Sequence, residues 1–236
     1  MDLTNAAFWA ALSSIILANI VLSGDNAVVI AMAARALPPN QQKKAIFWGS
    51  AAAIVMRIAL TLVAVEMLKW PYLKIVGALL LVYIGITLLA DNGDDDGEHH
   101  HTGGMLAAIR TILVADLVMS LDNVLAVAAA AKGNTLLLII GLAVSIPLII
   151  FGSTLLIKVM DRFPAIIMLG AGLLGFLAGE MLLTDPAVVA RIGELSAVAV
   201  DVEGAIGAAI VVGAGLWLQR RARAKAPPEK ALAGRP

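Results

Sequence analysis

The 236-residue chain has no cysteine, which excludes disulfide frameworks, thiolate zinc or iron–sulfur sites and cysteine nucleophiles. Any metal bound here must use oxygen or nitrogen ligands. Charge is scarce too: 14% of the residues are Asp, Glu, Lys or Arg, against about a quarter in a soluble domain. The 17 acids and 17 bases cancel, yet they crowd into a few short stretches between apolar runs. Those runs are what the chain has in abundance, with 61% apolar residues and a mean hydropathy of +0.93. An ordinary soluble protein is excluded and a polytopic membrane protein is indicated.

A hydrocarbon core about 30 Å thick takes roughly 20 apolar residues to cross. Apolar stretches lie at about 8–34, 45–68, 73–90, 105–131, 135–157, 165–183 and 204–218. The expected fold is all-α, a single domain of seven transmembrane helices. The first stretch has no basic segment before it and carries Asn19, Asp25 and Asn26, so it reads as a mature helix and not a signal peptide. The last is the shortest, and it lengthens if the polar 200–203 segment joins the helix; six spans plus a re-entrant tail is the alternative.

Short cytoplasmic loops retain lysine and arginine. With the C-terminus inside, twelve of the 17 basic residues, among them Arg35, Lys43, Lys44, Arg110 and those of the 219–236 tail, fall on the cytoplasmic side. Lys69, Lys74, Lys132 and Arg191 fall outside, and Arg57 lies within a span. The N-terminus is therefore expected outside and the acidic and histidine-containing 91–104 loop inside. That loop is either a solvated charge run or a weak collector of metal.

The segment Ser23-Gly24-Asp25-Asn26-Ala27 returns 97 residues later as Ser120-Leu121-Asp122-Asn123-Val124, and alanines follow both copies. Pro71 and Gly77 have counterparts in Pro164 and Gly170. The spans divide into repeat 1 at about 5–90 and repeat 2 at about 105–183, with an unpaired seventh helix. Three spans per unit is an odd number, so the second unit enters from the opposite face. Inverted repeats of this kind are common in secondary transporters that bind substrate near the midplane. Asp25 and Asp122 each sit 17 residues after the start of their stretch, and a pseudo-two-fold axis would bring them to one central site.

A carboxylate at that depth costs at least about 2.5 kcal/mol and needs a partner or water. Asp25 and Asp122, bracketed by Ser23, Asn26, Ser120 and Asn123, offer hard oxygen donors suited to Mg²⁺, Ca²⁺ or Mn²⁺. Asn19, Ser23 and Asn26 share one helix face, and Asp25 joins them only if the helix breaks near Ser23-Gly24. The alternative is that such residues merely bridge helices by hydrogen bonds, which serves Ser23, Ser120 and Asn19 equally well. Arg57 must pair with a buried acid, either neutralising Asp25 or Asp122 in an empty site or forming a fixed structural pair. Glu66 and Glu180, near span ends, are secondary candidates or solvated interfacial acids. Ala171, Gly175 and Gly179 form a small-residue strip for helix packing, and Pro147 interrupts the fifth span.

The two Asp-Asn motifs resemble those of the TerC family of integral membrane proteins, closest to its short bacterial branch, over about residues 5–183. The resemblance implies a metal-ion transporter of the LysE-like superfamily in the bacterial inner membrane, with manganese efflux the favoured activity and a historical link to tellurium resistance. By motif its acidic positions fall on Asp25 and Asp122, with Asn26 and Asn123 beside them. Asp116 stands where the first copy has Asn19, which makes the site asymmetric.

The expectation is a secondary transporter and not an enzyme, exporting a divalent cation, Mn²⁺ first, in exchange for protons and without a cofactor. Its partners are the metal ion and the lipid bilayer, with no nucleic acid; homo-oligomerisation is left open. An amino-acid exporter would want a cavity cation, which only Arg57 offers. An intramembrane aspartyl protease also uses two aspartates, but Ala115 precedes Asp116 and Leu22 stands where such a site has glycine. A noncatalytic scaffold gives no reason for twin buried Asp-Asn pairs.

Because cysteine is absent, single introduced cysteines can be labelled without background. In intact cells an impermeant thiol reagent is expected to label Asp2→Cys and spare Asp96→Cys; the reverse pattern inverts the topology and the direction of export.

Overall fold

The computed structural model describes residues 24–67, 69–91, 104–130 and 135–225, together with Trp9, Leu12, Ser13, Ile16 and Leu17. At some helical positions, among them Glu66 and Asp122, only the backbone is described. The described chain is helical and contains no strand. Helices α1 (Gly24–Arg35), α2 (Pro39–Met67), α3 (Leu73–Asp91), α4 (Gly104–Ala130), α5 (Thr135–Arg162) and α6 (Ala165–Leu183) are followed by a short α7 (Pro186–Ile192) and a long α8 (Ala197–Lys225).

Among the described residues five helices, α2, α3, α4, α6 and α8, are long and apolar enough to cross a membrane. The seven-span expectation also draws on residues 8–23 and 131–134, which lie largely outside the described residues. Pro147 does not end its helix, since α5 runs 28 residues through it. The seventh helix differs from its expected bounds of 204–218: α8 has 29 residues and begins at Ala197. Hydropathy alone stops at the polar Asp201 and Glu203, but a helix end can carry such residues into the interfacial layer.

Large apolar side chains face outward, including Val55 at 69% exposure and Leu169 at 70%. Such a surface fits lipid and not water. Lipid supplies no hydrophobic drive for helix association, so close backbone packing must do that work. Between α6 and α8 it is done by glycine. A β-carbon on Gly175 would lie 2.8 Å from the Ala208 Cα, and one on Gly179 would meet the Glu203 backbone. The strip expected on the sixth span is thus the seat of α8, which also packs on α3 where Gly85 meets Val211 and Gly215 meets Leu89.

Most of the remaining contacts cross between the two halves of the chain. α1 packs on α5, α4 on α2 and α3 on α6. At one end of α1, Gln42 donates to the Arg35 and Leu37 carbonyls, and Arg35 meets Asp161 of α5 at 2.8 Å.

At the other end of the bundle the fully buried Asp185 gathers four backbone amides. It caps α7 through Ala187 at 2.8 Å and reaches the amides of Tyr72, Lys74 and Ile75 at 3.0, 3.1 and 3.4 Å. The start of α3 is thereby tied to the end of α6, and Tyr72 is held at a φ of 69°, a conformation that disfavours a side chain. Asp185→Ala orphans those amides and is expected to cost about 2–4 kcal/mol, with Asp185→Asn costing less, as measured by unfolding of the purified protein in detergent.

Candidate functional site

α1 carries the first motif, with Asp25 in its first turn. The Asn26 amide donates to the Asp25 carboxylate at 2.8 Å. The break expected near Ser23-Gly24 adjoins residues 18–23, which lie outside the described residues. α4 carries the second motif, with Ser120 fully buried and Asn123 half-buried. Asn19 and Ser23, and the side chains of Asp122 and Glu66, lie outside the described residues.

A cavity of about 340 Å³ brings Asp25 of α1 and Asn123 of α4 together with Glu180 and Thr184 at the end of α6 and Lys74 at the start of α3. Leu81, Met119 and Leu177 complete part of its wall. Asp25, Asn123, Glu180 and Lys74 are all half-buried, so each is sheltered yet reachable from the cavity. The donor set is two carboxylates, an amide and a hydroxyl, which are hard oxygen ligands, with one ammonium beside them. Among the described residues no three Asp, Glu or His side chains gather into a ready metal-binding group.

Arg57, expected either to neutralise Asp25 or Asp122 or to form a fixed structural pair, pairs with Asp116. Both are buried, at 2% and 6% exposure. The Ser120 hydroxyl donates to the other Asp116 oxygen at 3.3 Å, so the carboxylate is held from both sides. Arg57 and Asp116 lie within electrostatic range of Asp25. Asn26 is buried at 2% exposure next to it.

Glu180 moves from the edge of the expectation to the cavity itself. Its place near the end of the sixth span looked interfacial because hydropathy gives depth but not the direction in which a side chain faces. Lys74 and Thr184 were not among the expected site residues. The single available signal was Lys74 following Pro71 by three residues at a helix start, which marks a loop boundary and nothing more.

The model of the Integral membrane protein TerC family matches residues 4–223. The chain belongs to the TerC family. Among relatives of this TerC-family protein, the "Uncharacterized membrane protein YjbE" of Bacillus subtilis is 47% identical over 168 residues, covering 71% of this chain and 76% of its own. The "UPF0053 inner membrane protein YgdQ" of Escherichia coli K12 is 24% identical over 189 residues, 73% of this chain and 79% of its own. No solved structure matches. The chain is thus an integral membrane protein whose family match takes in both Asp-Asn motifs and all the helices but the last two residues of α8.

Removing one member of a buried ion pair strands the other in a medium that cannot solvate it. Arg57→Met and Asp116→Leu are each expected to destabilise the protein by about 3–5 kcal/mol, and the double variant to recover most of that loss. Unfolding in detergent measures all three; equal stability of the single variants and the parent contradicts a desolvated pair.

Proposed function

We propose that this TerC-family protein is a secondary transporter of the bacterial inner membrane that exports a divalent cation, with Mn²⁺ the ion favoured by the family resemblance, in exchange for protons. One observation carries the proposal: residues from both motif copies, Asp25 and Asn123, line one cavity with a second carboxylate, Glu180. Two carboxylates balance a divalent charge, and their oxygens with the Asn123 amide match the hard-donor preference of Mn²⁺. Asp122, next to Asn123, remains part of the proposed ligand set with Asn26 and Ser23. Asp116 enters as the counter-ion of Arg57.

The helix contacts support an inverted-repeat arrangement. Exchanging α1, α2 and α3 for α4, α5 and α6 maps the α1–α5 contact onto α4–α2 and the α1–α6 contact onto α4–α3. The contacts α1–α4, α2–α5 and α3–α6 map onto themselves. Such an exchange suits alternating access, in which one unit rocks against the other around a fixed site. The inner-membrane assignment draws on the printed name of the Escherichia coli relative.

A second reading has its own observation. Lys74 lines the same cavity as the two acids, which supplies the cation that a zwitterionic amino acid would require. Transport of lysine without transport of Mn²⁺ would favour it.

In vesicles containing the purified protein, Asp25→Asn and Glu180→Gln are each expected to lower Mn²⁺ transport roughly tenfold or more while leaving the folded yield unchanged. Protons compete for the same oxygens, so metal binding is expected to weaken as pH falls and to release protons, measured by calorimetry in two buffers of different ionisation enthalpy. Full transport by both variants rules out the cavity as the ion site.

A further inference from the structure

A second cavity, of about 320 Å³, opens between α3 and α4. Its surroundings face outward, with Tyr83 at 68% and Leu106 at 77% exposure. Arg110 lines it from within the apolar Gly104–Leu121 span. Arg110 is exposed, and among the described residues it makes no ion pair and no hydrogen bond through its side chain. An arginine in a span needs a counter-charge or water, and among the described residues no acid pairs with this one.

The groove is graded along the membrane normal. Arg110 and Thr111 lie six and seven residues from the start of α4, about 9–11 Å along its axis, while Val114 lies deeper. On α3, Ile84 and Tyr83 are level with them and Leu80 is deeper, counting back from Asp91. The polar groups therefore sit toward the 92–103 loop and the apolar groups toward the bilayer centre. A glycerophospholipid has the same order, phosphate above and acyl chain below.

We propose that this groove is a binding site for one anionic phospholipid, from the leaflet on the side of the 92–103 loop. The guanidinium, with a fork of donors matched to phosphate oxygens, takes the headgroup phosphate, and the Thr111 hydroxyl donates a further hydrogen bond. One acyl chain lies along Leu80 and Val114. The site is distinct from the Asp25 cavity and independent of what that cavity transports.

Native mass spectrometry of the full-length protein, delipidated in detergent and titrated with phosphatidylglycerol, tests this. The parent is expected to retain one tight lipid adduct that phosphatidylcholine does not match. Arg110→Gln is expected to weaken that adduct about fivefold or more, consistent with one basic residue near an anionic surface. Val114→Trp fills the acyl channel, leaves the guanidinium in place and is expected to lose the same adduct. Arg221→Gln, whose parent guanidinium lies over the Trp217 ring, is the control that retains it. Unchanged affinity in Arg110→Gln or Val114→Trp overturns the site. Equal retention of phosphatidylcholine, or displacement of the lipid by inorganic phosphate alone, overturns the anionic-lipid assignment.

Discussion

A guanidinium and a carboxylate inside a bilayer must find each other or water, and Arg57 and Asp116 find each other. The pair joins α2 to α4, and so a helix following the first Asp-Asn motif to the helix bearing the second. Ser120 fixes the acid from its other side. Two charges that would each oppose insertion alone thus become a weld behind the motif residues. Their position also explains an asymmetry in the sequence. The first copy has Asn19 where the second has Asp116, and only the second has an arginine to answer.

With that pair satisfied internally, the charges that face the 340 Å³ cavity are different ones. Asp25, Glu180 and Lys74 come from α1, α6 and α3. Asp185 ties the start of α3 to the end of α6, so the backbone around Lys74 and Thr184, two of the cavity's polar side chains, is held in place by amide hydrogen bonds. A buried carboxylate thereby sets the shape of the rim without entering the cavity.

Much of this was legible in the chain. Hydropathy marked α3 and α6 to within a residue, because a 19-residue apolar run bounded by proline or polar residues has few other outcomes. The repeat singled out Asp25 and Asn123, and spacing identified Gly175 and Gly179 as a packing strip. Three things were not legible. The partner of Arg57 depends on which helices touch, and burial needs alone allowed any of several acids. The inward direction of Glu180 depends on the rotation of α6 about its axis. Asp185 looks like an ordinary loop residue before Pro186, and its three amide partners near position 74 are more than 100 residues away.

The glycine seam between α6 and α8 has a mechanical corollary. Its contact is backbone against backbone, held by short-range dispersion that involves no titrating group and no ligand. A change in acidity finds no group to act on in such a joint. α6 accordingly carries a charge-free seam toward α8 and, on the wall of the cavity, the Glu180 carboxylate.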